Sequence, residues 1–444
     1  LLAAHALVEH FERVTVCERD LIGENTEFHS GVPQARHPHA LLARGAELLE
    51  ARFPGLRAEL TALGAPVYDV GLGVRYRLPS GRLPISALGI EIQNVSRTTL
   101  ERTIRQRVLA HPRITLRAGF VVECLDLDRT GNTVTGVTGR QRELICPTGP
   151  GRVPGSRERL CADFVVEATG RAAKLAGWLA DIGWERPAIL EVDGRMTYVS
   201  RFFRLPADHA LGWYTAGRLT YAPAIKRGGG AVMLDGDRWL ITLIGAGGEV
   251  PPTDQTGFLD YAASLDVEEI PAAIAAGTPL TPAYRYARMA NRWICYHRLR
   301  HWPQRLIAMG DAVCIFNPIY GQGLTVAAQQ AQLLGELLGS TRTLTGLAQR
   351  FQRRAGVLIR LPWSMATSSD LSWDPAPPGR SARLIRWYLH HLLDLIPTDP
   401  EVAARFLQVQ NMISSPTALI PPRLIAKVLC QSLRPLLSQA MCQR

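Results

Sequence analysis

Apolar positions recur along this chain in two rhythms. Leu2, Ala3, Ala6 and Leu7 share one helical face, which predicts a helix over Leu1–His10. Val14-Thr15-Val16-Cys17 then reads as a short strand ending in Glu18. Leu41, Leu42, Gly45, Leu48 and Leu49 draw a second helical stripe, and Leu100, Ile104 and Val108 a third behind Ser96-Arg97. From Ile114 to Asp128 the period shortens to two. That predicts a strand, with a hairpin partner carrying Val134 and Val137 beyond the turn at Gly131-Asn132. Pro147 to Gly155 is a loop by composition, and Phe164-Val165-Val166 is the next strand, running into Glu167-Ala168-Thr169-Gly170.

From about Glu191 to Arg300 the texture is short strand-like runs: Met196–Phe203, Ala231–Leu234 and Trp239–Ile244. One helix, Gly257–Leu265, interrupts them. Gly228-Gly229-Gly230 reads as a hairpin loop. Gly245-Ala246-Gly247-Gly248 reads as a strand-end turn, because Glu249-Val250-Pro251-Pro252 prevents a helix from starting there. Arg305–Met309 is a further strand, followed by a Gly/Pro loop and a helix from Leu324 to Leu338. Beyond Thr345 the chain is helical, cut into pieces by prolines 362, 375, 377, 378, 397, 400, 416, 421 and 422.

The length of 444 residues predicts two or three domains. A hydrophobic share of 47% against 20% charged residues is that of a folded globular chain. The net charge of +11 is almost all arginine, with Lys174, Lys226 and Lys427 the only lysines. No basic block or aromatic-basic interleaving appears, so nucleic acid is not an expected partner. No apolar run reaches the ~18 residues of a spanning helix, and Leu1–Leu7 lacks the features of a signal peptide. The eight cysteines form no CxxC pair and no metal spacing, which points to free thiols in the cytoplasm. Arg383-Leu384-Ile385-Arg386-Trp387-Tyr388-Leu389-His390 suits either packing on the core or peripheral contact with a membrane.

The sharpest chemistry lies in Gly310-Asp311-Ala312-Val313-Cys314-Ile315-Phe316-Asn317-Pro318-Ile319-Tyr320-Gly321-Gln322-Gly323-Leu324. A strand delivers Asp311, which can accept bonds from sugar-alcohol hydroxyls. Pro318 stiffens the loop, and Gly321 and Gly323 let backbone approach a flat ligand. The helix then opens with free N–H groups that favour negative charge, as on a reduced isoalloxazine. A plain strand-loop-helix turn is the alternative, but the order of strand, acid, proline and two glycines favours a flavin. Taken alone, Glu18 reads as a strand-terminal acid paired with a neighbouring arginine, and Arg36 and Arg97 as solvated charges. His37 and His39 read as a polar turn rather than a metal pair.

This segment resembles the second flavin-contacting motif of the FAD-dependent monooxygenases built like para-hydroxybenzoate hydroxylase. It is most similar to the bacterial branch of polyether epoxidases and distant squalene epoxidase relatives, known in secondary metabolism. Val14–Glu18 resembles that family's second dinucleotide strand, whose terminal acid holds the ribose. Val32-Pro33-Gln34-Ala35-Arg36-His37-Pro38-His39 resembles its segment beside the flavin, and Ser96-Arg97-Thr98-Thr99-Leu100-Glu101 its Arg-bearing helix start. Asp163-Phe164-Val165-Val166-Glu167-Ala168-Thr169-Gly170-Arg171 stands where the family has an Asp-Gly motif, with Ala-Thr-Gly for the usual Ala-Asp-Gly. The family's opening strand and Gly-x-Gly-x-x-Gly would lie upstream of Leu1.

The resemblance implies an α/β fold. A Rossmann-like FAD domain occupies 1–74, 96–185 and 303–345, a mixed-sheet substrate domain 75–95 and 186–302, and a helical C-terminal region 346–444. It implies FAD held by Glu18, Arg36, Arg97, Asp311, Pro318, Gly321, Gly323 and Leu324, with NAD(P)H or a partner reductase as electron donor. The implied reaction inserts one oxygen atom from molecular oxygen, through a flavin hydroperoxide, into a hydrophobic polyene, isoprenoid or aromatic substrate. No side chain is singled out as catalytic, and no metal is expected. The alternatives are a flavin-dependent reductase of isoprenoid double bonds and a flavin-free binding protein.

Overall fold

The computed structural model describes residues 1–22, 36–142, 156–206, 211–287, 289–374 and 379–442, with backbone alone from 434. The segment Val32–Ala35, the loop at 147–155, Cys146 and prolines 375, 377 and 378 lie outside the described residues.

Two parallel strand pairs form one half of the α/β scaffold. Val14–Glu18 pairs with Ile114–Ala118, and Val165–Glu167 with Leu306–Ala308. Helices Leu2–Leu7, Arg97–Leu109, Gln322–Gly339 and Leu347–Asp370 bury their apolar stripes around these pairs. Ala6, Val108, Leu306, Leu334 and Phe351 meet in that one core, which explains why stripes so far apart in sequence carry matching apolar faces.

A second layer is a mixed sheet of eight strands. Thr197–Arg204, Arg238–Gly245, Arg227–Met233 and Thr215–Arg218 run antiparallel in that order. Val74–Leu78 then joins Thr215–Arg218 in parallel, so a segment from early in the chain enters the later sheet. Helices Gln255–Ala263 and Glu269–Ala276 cover one face with Phe258 and Ile270, joined by Leu265 from the link between them. C-terminal helices Arg380–Leu395, Pro400–Gln410 and Pro422–Cys442 enclose a smaller core shared with Tyr68, Val74 and Leu83. Among the described residues, no helix is long and apolar enough to cross a membrane.

Several expectations need correction. Gly228-Gly229-Gly230 is the interior of strand Arg227–Met233 rather than a hairpin loop. A Cβ on Gly228 would lie 2.7 Å from the Arg218 carbonyl, and one on Gly229 2.6 Å from Leu265. Close approach, not a turn, demands these glycines. The run Ile114–Asp128 is two strands, Ile114–Ala118 and Phe120–Leu127, broken at Gly119 with φ 77°. A second helix, Glu269–Ala276, also interrupts the strand-like runs; its Pro271 sits in the first turn, where no N–H bond is lost. Pro362 does not interrupt Leu347–Asp370, because buried Ile359, Trp363 and Ala366 anchor the helix on both sides.

Candidate functional site

A cavity of about 2020 Å³ lies between the two parallel strand pairs. Its wall includes Val14–Glu18 on one side and Val165–Glu167 on the other, with Gly310, Asp311 and the Gly321–Leu324 turn at one end. Glu18, Arg97, Asp311, Pro318, Gly321, Gly323 and Leu324 all line it. Arg36 does not; its guanidinium sits 4.6 Å from the centre of the Tyr284 ring.

The strand Leu306–Ala308 ends at Met309, and Gly310 (φ 63°) turns the chain so that Asp311 reaches the cavity. The Gly310 N–H is held by buried Gln330 at 2.6 Å. Burial raises the Asp311 carboxyl above its usual range, against the opposing pull of Arg97 and Arg171. The Asp311 Oδ1 lies 3.9 Å from where a Cβ on Gly323 would stand, so the carboxylate faces the helix start.

That start is left open. Gly321 adopts φ 65°, and a Cβ there would meet that of Ala40 at 2.7 Å. Helix Gln322–Gly339 has no side-chain cap, while Gln322, Gly323 and Leu324 line the cavity. Uncapped amides and the positive helix end make this a place for negative charge.

On the neighbouring wall, Arg97, Glu101 and Arg105 share one face of helix Arg97–Leu109 and all line the cavity. Arg97 Nε is 3.8 Å from Glu101 and Arg105 Nη1 is 3.5 Å from it, while the buried Arg97 Nε makes no hydrogen bond. Glu18 accepts the Asp20 N–H at 2.8 Å at its strand end. The Ala-Thr-Gly turn closes on itself, with Glu167 accepting the Thr169 N–H at 2.9 Å and the Thr169 hydroxyl. Arg171 donates to the Tyr286 hydroxyl at 2.9 Å.

His37 is not part of a solvated polar turn. It is 5% exposed, and Nδ1 lies 2.8 Å from the Ser200 hydroxyl. Burial, reinforced by Arg36, pulls its pKa down to about 4, so the ring is neutral.

No family model matches the chain. It is 29% identical over 447 residues to Protein Rv3254 of Mycobacterium tuberculosis strain H37Rv, covering 98% of this chain and 92% of that protein. A flavoprotein/dehydrogenase from Cytophaga hutchinsonii superposes with a TM-score of 0.67 at 12% identity, over 98% of this chain and 95% of that one. The flavin-dependent brominase Bmp2 gives 0.62 at 12%, over 92% and 90%. The anhydrotetracycline hydroxylase OxyS from Streptomyces rimosus gives 0.57 at 19%, over 93% and 74%. The fold is that of the flavin-dependent monooxygenases and halogenases.

Within that fold, three site features escaped the sequence. Arg105 and Glu101 were detectable, since 97, 101 and 105 repeat at helical spacing beside an otherwise buried stripe. Asp235 was not: it binds the start of the Arg97 helix from a strand end 139 residues away. Asp370 was hidden likewise, at the end of a long helix with its partners on other elements.

Proposed function

We propose that this protein is an FAD-dependent monooxygenase that places one atom of molecular oxygen into a hydrophobic small molecule, by epoxidation or hydroxylation. The observation that carries the reading is the single cavity joining Glu18, the Arg97–Arg105 face, Asp311 and an uncapped helix start. Those groups fit the cofactor in kind: an acid for a ribose, cations for a diphosphate, an acid for the ribityl hydroxyls and free amides for the ring. The buried Arg97 Nε without a hydrogen bond and the open helix start are donors awaiting an acceptor.

Bound FAD would supply the activation of oxygen. The protein's own residues do the rest. Glu18 accepts from ribose hydroxyls, and Arg97 with Arg105 neutralises the diphosphate. Asp311 orients the ribityl chain, while Pro318, Gly321, Gly323 and Leu324 shape the surface against the ring. The amides opening Gln322–Gly339 stabilise negative charge where it develops. Tyr286, Met289, Ile315 and Phe316 form an apolar wall that excludes water from the reacting centre. We assign 1–74, 96–185 and 303–345 to cofactor binding, 75–95 and 186–302 to the substrate side, and 346–444 to a helical C-terminal region. Arg36, which lies outside the cavity lining beside Tyr284, stays a candidate cofactor contact on the sequence resemblance alone. NAD(P)H or a partner reductase supplies the electrons.

The test is product analysis under labelled dioxygen with polyene, isoprenoid and aromatic candidates, on protein first checked for a bound-flavin absorbance spectrum. One labelled oxygen per product supports the reading. Two added hydrogens without label would make the protein a reductase, and a chain that holds no flavin would be a binding protein.

A further inference from the structure

The loop Asn317–Gly321, which carries the helix start into the cavity, is tied from behind to a carboxylate 50 residues downstream. Asp370 ends the helix Leu347–Asp370 and is 1% exposed. Its Oδ1 accepts the Tyr320 hydroxyl at 2.6 Å. Its Oδ2 accepts the side-chain amides of Asn291 at 2.5 Å and Asn317 at 3.3 Å. Asn317 is equally engaged. Its N–H donates to Asn291 Oδ1 at 2.8 Å, and its own Oδ1 accepts the Tyr198 hydroxyl at 3.0 Å and the Ile319 N–H at 3.3 Å. A Cβ on Gly194 would stand 2.9 Å from the Asp370 carboxylate, so the backbone there closes the network.

Burying a carboxylate among neutral donors is costly unless its lone pairs are filled. Here three donors fill them, and two belong to the cavity loop. A side chain that served only to end a helix would have no need of Asn317 and Tyr320. Neither Asp370 nor Tyr320 lines the cavity, so any influence on a ligand passes through the loop.

We propose that Asp370 is a positioning residue: by holding Asn317 and Tyr320 it fixes the left-handed turn at Gly321 and aims the free amides of Gln322–Gly339 at the ring of the cofactor. The cofactor clause rests on the FAD reading above; the loop clause does not. Asp370 therefore governs the ring end of the site and leaves the adenosine end alone.

The experiment uses the full chain and Asp370→Asn, which keeps the shape but replaces one acceptor oxygen with an amide donor, set against either the Tyr320 hydroxyl or the amides of Asn291 and Asn317. Hydrogen exchange without flavin reads the loop directly. The variant should exchange the amides of Ile319, Tyr320 and Gly321 about tenfold faster or more, with the middle of Gln322–Gly339 unchanged. Titrations with FAD and with ADP read the site. FAD should bind about tenfold more weakly, the equivalent of one lost charge-assisted bond, and ADP within about twofold of the parent. Unchanged loop exchange, or equal losses for FAD and ADP, would overturn the proposal. A parent protein that binds ADP but not FAD would overturn the FAD reading, with exchange still deciding the loop anchor. Should Asp370→Asn fail to fold, Tyr320→Phe removes one bond alone and must shift both readouts the same way.

Discussion

The Asp235 carboxylate accepts the Ser96 N–H at 2.6 Å, across 139 residues of chain. It also accepts the hydroxyls of Ser96 at 3.1 Å and Thr99 at 2.7 Å, and Arg238 at 2.6 Å. The mixed sheet thereby clamps the first turn of the Arg97 helix. Burial pushes this carboxyl up, but Thr99, Ser96 and Arg238 outweigh it and hold it below its usual range. Its contribution to stability is therefore present above an ordinary Asp pKa of ~3.9 and is lost as pH falls below that. Asp235→Ala should cost about 3–5 kcal/mol in urea unfolding at neutral pH, with the gap to the parent closing below about pH 4. A pH-independent gap would mean that the cost is packing rather than charge.

His37 has the opposite sign. Its folded pKa of about 4 lies below the ordinary 6.5, so the unfolded chain takes up the proton first. The buried neutral ring gives full stability above pH 6.5, and this is lost as pH falls towards 4, up to about 3 kcal/mol. The quantity to measure is the difference in unfolding free energy between parent and His37→Gln at pH 7.5 and 4.5. It should narrow by about 2–3 kcal/mol at the lower pH. A constant difference would show that His37 is protonated in its pocket.

What was legible depended on how far the partners lie apart. The strand Val14–Glu18, the Leu100 stripe and the Asp311-to-Leu324 loop each carry their signal within a few residues, through period, acid and glycine. Asp235 carries only its neighbour Arg238 and Asp370 carries none, because the partners that give them their roles arrive from other elements. His37 was misjudged for the same reason: its burial is supplied by Ser200 and Tyr286. The glycines at 228–230 mark a different ambiguity. Turn and close packing both favour glycine, and only the neighbouring strands and Leu265 decide between them.

Gly45 tests whether helix packing sets the site. It lies in helix Ala43–Arg52, where a Cβ would fall 2.5 Å from the Thr325 hydroxyl and 3.3 Å from the Thr325 Cα. Thr325 belongs to the first turns of Gln322–Gly339, so the two helices must part to admit a methyl group. Gly45→Ala gains about 1 kcal/mol of helix propensity but loses more to overpacking; the net expectation is a loss of up to about 2 kcal/mol in thermal or urea unfolding. An unchanged or raised midpoint would show that the helices yield freely at this crossing.

Asp311 decides whether the glycine loop holds the sugar-alcohol chain of a flavin. Its carboxylate faces the uncapped helix start, and Arg97 and Arg171 counter the burial that raises it. Each charge-assisted bond to a ribityl hydroxyl is worth about 1.5–3 kcal/mol, so Asp311→Ala should weaken FAD roughly 10–100-fold. ADP lacks that chain and should bind the variant as it binds the parent. Glu18→Gln gives the contrasting pattern, weakening FAD and ADP together, because its proposed partner is the ribose both share. The raised carboxyl adds a pH signature. As pH falls, Asp311 takes up a proton earlier than an ordinary Asp and loses acceptor capacity, so the parent's FAD affinity should drop. The Asp311→Asn variant should not show that step. Fluorescence-quenching titrations from pH 8 to about 4, with circular dichroism to confirm folding, supply all three comparisons. Equal FAD affinity in parent and Asp311→Ala would remove the ribityl contact, and with it the principal support for placing the ring at the Gly321–Leu324 turn.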